Sequence, residues 1–131
     1  MFTLTNNQAK TPTRATAGSA GYDLYSTVSF ELNPGEWITV DTGVIVKLPE
    51  GHCGEIWPRS GWAHKAGLHV LGGLIDEDYS ETVGVILINL GQGVFKADAG
   101  DKIAQLVITP YYKGEDVRTF RTGGFGSTGR C

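Results

Sequence analysis

The stretch VGVILINL, residues 83–90, decides the fold class of this 131-residue chain. Apolar side chains occupy both faces of its two-residue period, which is typical of a strand that lies in a core. Glycine accounts for 19 residues, about twice its average frequency, and the only helical candidate is a turn or two around residues 61–65. The sequence therefore predicts an all-β protein.

Shorter strand segments lie on both sides of this stretch, separated by turns such as Asn33-Pro34-Gly35-Glu36. They are residues 29–32, 37–40, 44–48, 54–57, 94–96 and 103–109. Short strands at such regular spacing predict a β-barrel or a β-sandwich. One domain is expected over residues 1–131, since the length suits a single core. The first dozen residues and the last twenty, from 112 to 131, are expected to be arms because they lack core-type periodicity.

The net charge and the distribution of charged residues limit the kinds of partner that the protein is expected to bind. The formal net charge is −3 and no block of lysine and arginine is present, which argues against a nucleic-acid or membrane partner. No apolar run approaches the length of a transmembrane helix, and the first residues do not resemble a secretion signal. An intracellular protein, cytoplasmic or nuclear, is the expectation. A small anionic ligand remains compatible with this composition, because it needs only a few local cations.

The glycine-rich stretch GGFGSTG, residues 123–129, predicts an anion-binding flap. Such a run exposes successive backbone N–H groups, and Ser127 and Thr128 add hydroxyl donors close to Arg121. Phe125 is an apolar plate among the glycines, which suits a phosphorylated ligand with a flat ring. The alternative is a disordered glycine tail.

Four further segments crowd polar groups and glycines into predicted turns. They are AGYDLYS (20–26), PRSG (58–61), GLIDEDY (73–79) and GDKIAQL (100–106). Each has a plain structural alternative. Asp23 is either the end of a strand or a partly buried carboxylate that needs donors, and Arg59 is either a surface residue or a phosphate ligand. The three acids that follow Gly73 form either an acidic hairpin or a site in which a carboxylate activates water, and Gln105 is either satisfied internally or faces a ligand.

In this order, AGYDLYS, PRSG, GLIDEDY, GDKIAQL and GGFGSTG resemble the five motifs of the trimeric deoxyuridine triphosphatase (dUTPase) family. The resemblance spans about residues 11–129. It implies a jelly-roll-like β-barrel with a flexible C-terminal arm, which assembles as a homotrimer with its active sites at subunit contacts. It also implies Mg²⁺-dependent hydrolysis of dUTP to dUMP and pyrophosphate by water attack on the α-phosphate. This reaction keeps uracil out of DNA and supplies dUMP for thymidylate synthesis.

The resemblance also implies roles for individual residues. Asp76 matches the carboxylate that activates water, and Tyr79 matches the ring under the deoxyribose. The backbone of Gly73, Leu74 and Ile75 would read the uracil edge, and Phe125 would stack on the base. The matching phosphate ligands are Arg59, Ser60, Gly61, Gln105, Arg121, Gly126, Ser127 and Thr128. Asp23 matches the acid on the metal side, acting through water or through Arg59.

Two departures from the family pattern bear on activity. The family usually has a glycine soon after the Asp-Tyr pair, and Ser80-Glu81-Thr82 lacks it; the usual arginine of the last motif is displaced to Arg121. They keep open a second possibility, a dUTPase-derived nucleotide-binding or signalling protein with reduced activity. The retained Asp76 and Tyr79 favour an active hydrolase, and they also argue against deamination of dCTP, which needs a different acid-base set.

Overall fold

Ten strands and one short helix form residues 1–115, the part of the chain that this computed structural model describes. The elements are β1 (Phe2–Leu4), β2 (Tyr22–Tyr25), β3 (Phe30–Leu32), β4 (Trp37–Val46), β5 (His52–Trp57), α1 (Ser60–Ala66), β6 (Leu68–Leu71), β7 (Leu74–Ile75), β8 (Thr82–Asn89), β9 (Phe95–Ala97) and β10 (Lys102–Pro110). The all-β prediction is confirmed, and the short helix lies where the sequence placed its helical candidate.

The strands form two four-stranded antiparallel sheets and a two-stranded ribbon. The first sheet has the order β1-β4-β8-β6, the second has the order β2-β10-β5-β7, and β3 pairs with β9. Strands that are distant in sequence are neighbours in both sheets, so the chain passes repeatedly between them. The result is the jelly-roll-like β-barrel that the resemblance implied.

The core lies between the two sheets. Alternate residues of β8 are buried, and the alternation matches the two-residue period of a strand. Each sheet contributes aliphatic side chains to one cluster. Its most deeply buried members are Leu24, Val40, Val44, Leu68, Val83, Val85, Leu87, Ile103, Ala104 and Leu106.

The outer face of the first sheet is also largely apolar. Ile88 of β8 is directly opposite Trp37 on one side and His69 on the other, and Ile86 is opposite Thr39 and Leu71. Directly opposite residues of an antiparallel pair project from the same face. Trp37 is 62% exposed and Leu71 is 36% exposed. Both faces of β8 are therefore apolar, as the sequence indicated, but this outer face remains largely open to solvent.

Two predictions about the N-terminal half are wrong. The first dozen residues are not a detached arm, because β1 pairs with β4 in the register Phe2↔Val46 and Ala9 is buried. Segments 37–40 and 44–48 are not separate strands, because β4 is continuous from Trp37 to Val46. Its pairing with β8 shifts between Asp41 and Ile45, where the Asp41 carboxylate accepts the N–H of Gly43 at 2.8 Å. That irregularity bends one strand where the sequence suggested an interruption.

Across residues 1–115, no helix has the length and the apolar character needed to cross a bilayer.

Candidate active site

Strand register places two of the predicted site residues side by side. Gln105 of β10 is directly opposite Asp23 of β2 and, on its other side, opposite Trp57 of β5. The Gln105 amide donates one of its two N–H groups to the Pro58 carbonyl at 3.1 Å. Gly21 makes room for it, since a Cβ at that position would come within 2.6 Å of Gln105 Oε1. The glycine that precedes Tyr-Asp in the first motif thus has a packing reason.

The second motif, PRSG, follows the end of β5 and therefore lies next to Asp23 and Gln105. Pro58 follows the strand, Arg59 has extended backbone geometry, and α1 begins at Ser60. Trp62 in α1 packs edge-on against Phe95 of β9, with ring centroids 5.1 Å apart. This contact attaches the helix to the barrel and fixes the residues of its first turn.

Two cations neutralise the carboxylate of Asp23. Arg59 Nε lies 3.5 Å from Oδ1, and Lys102 Nζ lies 3.2 Å from Oδ2. Asp23 is only 7% exposed, and burial of a charged group is costly unless it is paired in this way. The contact with Arg59 is made through Nε, and the guanidinium carries two further terminal nitrogens that can donate.

A cavity of about 370 Å³ opens beside these groups. Five of the predicted residues line it together: Asp23, Arg59, Ser60, Gly61 and Gln105. Its charged and polar lining provides several donors suited to an anionic ligand. We call it the phosphate-side cavity.

The hairpin that carries the third motif forms a second, smaller cavity of about 240 Å³. Gly73 and Leu74 line it, with Trp57 and His69 on its other walls. Gly73 has φ of +104°, its carbonyl accepts the N–H of Ile56 at 2.7 Å, and a Cβ there would lie 2.8 Å from the Ile56 carbonyl oxygen. Glycine is therefore required at position 73. Ile75, predicted alongside them, is buried in the core and pairs with Gly54.

Asp76 and Tyr79 close the turn after β7. The Tyr79 N–H donates to the Asp76 carbonyl at 3.0 Å, and the Tyr79 hydroxyl donates to the Thr82 carbonyl at 3.0 Å. The second of these hydrogen bonds spans Ser80 and Glu81, where the chain departs from the family pattern. Its acceptor residue, Thr82, is the first residue of β8. Burial of the ring raises the pKa of Tyr79, and the charges of Glu81 and Asp41 add to the effect. Within residues 1–115, Asp76 and Tyr79 line neither of the two cavities.

Glu77 attaches the same turn to two other segments. One carboxylate oxygen accepts the N–H of Gly51, and the other pairs with Lys113 Nζ at 2.7 Å. The hydrogen bond from Lys113 and then that from Gly51 lower the pKa of Glu77, and the bond to Glu77 raises the pKa of Lys113.

The sequence reasoning missed several residues at the phosphate side. Ser19 and Lys65 line the cavity, and Lys102 is the second cation on Asp23. Trp62 also lies in the cavity wall, which the sequence did not predict. Lys102 lies within the fourth motif, so its position in GDKIAQL was the available signal. Arg121, Phe125, Gly126, Ser127 and Thr128 lie outside the described residues.

The donor set fits a magnesium ion that arrives with a polyphosphate. Both oxygens of Asp23 face side-chain cations, so direct coordination would displace an ion pair, whereas contact through water would not. Mg²⁺ keeps several of its waters and is usually held by one or two carboxylates together with substrate phosphates. Asp23 at the edge of the phosphate-side cavity suits that arrangement.

The fold and these cavities define a β-barrel protein whose site is built to bind a small anionic ligand. The dUTPase family model matches residues 7–129. The chain belongs to the dUTPase family.

Relatives from viruses and from human agree with this assignment. The chain is 43% identical to the deoxyuridine 5′-triphosphate nucleotidohydrolase of Monkeypox virus, over 98% of this chain and 89% of the relative. It is 42% identical to the human mitochondrial enzyme of the same name, over 98% of this chain and 54% of the relative.

Solved structures share the fold. A dUTPase from phage phi11 of S. aureus, whose structure describes the coordination of a structural Mg(II) ion, has a TM-score of 0.82 at 28% identity, covering 96% of this chain and 97% of that one. A dUTPase of Staphylococcus bacteriophage 80alpha, solved with dUpNHpp, has a TM-score of 0.83 at 26% identity, covering 95% and 97%.

Proposed function

We propose that the protein hydrolyses dUTP to dUMP and pyrophosphate. Water attacks the α-phosphorus, and the bond from that phosphorus to the bridging oxygen breaks, so that pyrophosphate leaves. Membership of the dUTPase family carries the proposal, together with the gathering of five predicted site residues around one cavity. The reaction removes dUTP, which keeps uracil out of DNA, and supplies dUMP for thymidylate synthesis.

The residues that line the phosphate-side cavity act by positioning the phosphates and by neutralising their charge. Arg59, whose guanidinium carries two terminal nitrogens besides the Nε that contacts Asp23, binds phosphate oxygens as a fork. Ser60, Gly61 and Gln105 add donors along the same wall. Phosphoryl transfer depends on orienting the phosphates and neutralising their charge more than on a covalent nucleophile.

Asp23 would hold a Mg²⁺ ion through water, and the ion would supply neutralisation of charge on the triphosphate oxygens. Lys102 and Arg59 orient the Asp23 carboxylate through their ion pairs.

The hairpin recognises the nucleoside and activates water. The backbone of Gly73, Leu74 and Ile75 reads the uracil edge, and Tyr79 packs under the deoxyribose. Leu74 is 69% exposed beside the second cavity, which suits contact with a bound base. Asp76 accepts a proton from the attacking water or orients it.

The active assembly is a homotrimer. Asp76 lies in the turn after β7 and does not line the phosphate-side cavity of its own chain, which supports a site shared between copies. The apolar outer face of the first sheet, with Trp37 62% exposed, supports such an association. Residues 112–131 act as the arm and flap, in which Phe125 stacks on uracil while Arg121, Gly126, Ser127 and Thr128 bind the γ-phosphate.

A binding or signalling protein with reduced activity is not favoured. The Tyr79 hydroxyl donates to the Thr82 carbonyl across Ser80 and Glu81. This hydrogen bond closes the turn before β8 although the usual glycine is absent. The relatives named above are nucleotidohydrolases.

Pyrophosphate release from dUTP, dCTP, dTTP and UTP, with and without Mg²⁺, tests the reaction. We expect Mg²⁺-dependent release from dUTP with strong preference over the other three. Equal release from UTP would contradict the role of Tyr79 at the sugar. Light scattering tests the assembly, and a fully active monomer would contradict the trimer.

A further inference from the structure

Three segments that are distant in sequence meet beside the turn that carries Asp76. Glu77 in that turn accepts the N–H of Gly51 through Oε1 and pairs with Lys113 Nζ through Oε2, at 2.7 Å. The ring of contacts closes through Tyr111, whose N–H donates to the Gly51 carbonyl at 3.0 Å. We call Gly51, Glu77, Tyr111 and Lys113 the Glu77 clasp.

The clasp adds side-chain contacts to a turn that follows a very short strand. Strand β7 has two residues, which pair with Gly54 and Glu55 of β5, and β8 begins at Thr82. A turn that follows so short a strand depends on more than ladder hydrogen bonds for its position. A reacting group that is displaced by a fraction of an ångström loses much of its effect. Contacts that fix this turn therefore bear directly on Asp76.

Resting on the proposed function, we propose that Glu77 is a positioning residue for Asp76 and that Lys113 supports it. Glu77 fixes the turn against the β4–β5 connection through Gly51. Lys113 adds a second attachment from the chain just after β10. The same ion pair ties the Asp76 turn to the start of the chain segment that leads, in sequence, to Phe125.

Stability alone gives little reason for such a pair. The side chains of Lys113 and Glu77 are 44% and 24% exposed, and exposed ion pairs contribute little to folding. Lys96 and Glu31 form another exposed pair, at 3.5 Å, between β9 and β3. Glu31→Gln is therefore a matched control, with the same loss of charge away from the Asp76 turn.

Two single variants and their combination test the proposal. Glu77→Gln keeps an oxygen that can accept from Gly51 and loses the charge that pairs with Lys113. Lys113→Met loses the same pair from the other side. We expect each to lower kcat for dUTP by about threefold to tenfold with KM changed by less than about twofold, because orientation is lost and binding is not. The double variant should be no slower than either single one, since the same pair is removed.

Backbone hydrogen exchange supplies a readout that needs no substrate. The amide of Tyr79 should exchange faster in both Glu77→Gln and Lys113→Met. Lys113 does not contact this amide through the bonds described above, so faster exchange in Lys113→Met would report a change in the turn. Glu31→Gln should leave both exchange and kcat unchanged. Wild-type kcat in both single variants, or fully additive losses in the double variant, would overturn the proposal. A wild-type protein that does not hydrolyse dUTP would overturn the proposed function instead, and the exchange rates would still decide whether the clasp fixes the turn.

Discussion

The two halves of the candidate site are held in place by different means. Asp23 and Gln105 lie on β2 and β10, neighbouring strands at one edge of a four-stranded sheet, and strand register brings them together. Asp76 lies in a turn beside a two-residue strand, and side-chain contacts from Glu77 fix that turn. The residues proposed to bind the phosphates are thus built into the barrel, whereas Asp76, proposed to act on water, lies in a turn whose side-chain contacts single substitutions can remove.

The largest expected effect is on turnover, and it distinguishes a loss of catalysis from a loss of nucleotide binding. Asp76→Asn keeps the size of the side chain and removes its basic carboxylate, so we expect turnover of dUTP to fall by about 10²–10⁴-fold. Binding of a non-hydrolysable dUTP analogue, measured by calorimetry, should persist because the phosphate side is intact. Full activity would contradict the role of Asp76.

The next effect addresses the phosphate side. Arg59→Lys keeps a positive charge but loses the fork, so we expect KM for dUTP to rise by about tenfold to a hundredfold. Steady-state kinetics measure it. Arg59→Met serves as the comparison, since it removes the charge as well and should be worse. If the lysine variant behaves as wild type, recognition at this side is by charge alone.

A pair of glycine substitutions compares the rigidity of the two halves. Gly73→Ala in the hairpin forces a Cβ to 2.8 Å from a carbonyl oxygen at a φ of +104°, so we expect destabilisation of about 1–3 kcal/mol. Gly61→Ala in the first turn of α1 meets nothing within 4 Å, and alanine favours a helix, so the fold should be unchanged or more stable. Urea unfolding of both variants checks this, and equal losses would contradict it.

The smallest effect is a pH dependence of the Glu77–Lys113 pair. Its stabilising contribution is fully present between the ordinary pKa of Glu, 4.5, and that of Lys, 10.5. It is lost as the pH falls through the lowered pKa of Glu77, and also as the pH rises through the raised pKa of Lys113. The difference in urea midpoint between wild type and the Glu77→Gln/Lys113→Met variant should therefore vanish at both extremes. A difference that is constant across the range would contradict this account.

The sequence predicted the fold class well because β8 has an unusually clear pattern. It could not predict β1, since three residues carry no period and their partner strand is some forty positions away. It divided β4 at the point where Asp41 and Gly43 form a local bend, because a glycine beside an interrupted alternation is ordinarily the mark of a turn.

The same limit applies to the candidate site. The motifs indicated Asp23, Arg59 and Gln105 because their neighbours in sequence are distinctive. The contact between Lys102 and Asp23 depends on the register of β10 against β2, including its shift between Lys102 and Ala104. The contact between Glu77 and Lys113 joins residues 36 positions apart. Neither contact leaves a local pattern, so each emerges only once the strands are assembled.

If the proposed trimer covers the apolar outer face of the first sheet, the folded state is sensitive to dilution. Trp37 and its neighbours would then be shielded only while the copies remain associated, and dissociation would return them to water. By mass action, the melting temperature of such an assembly rises with protein concentration. The amount of protein that a cell makes would then determine how active each molecule is, as well as how many molecules are present.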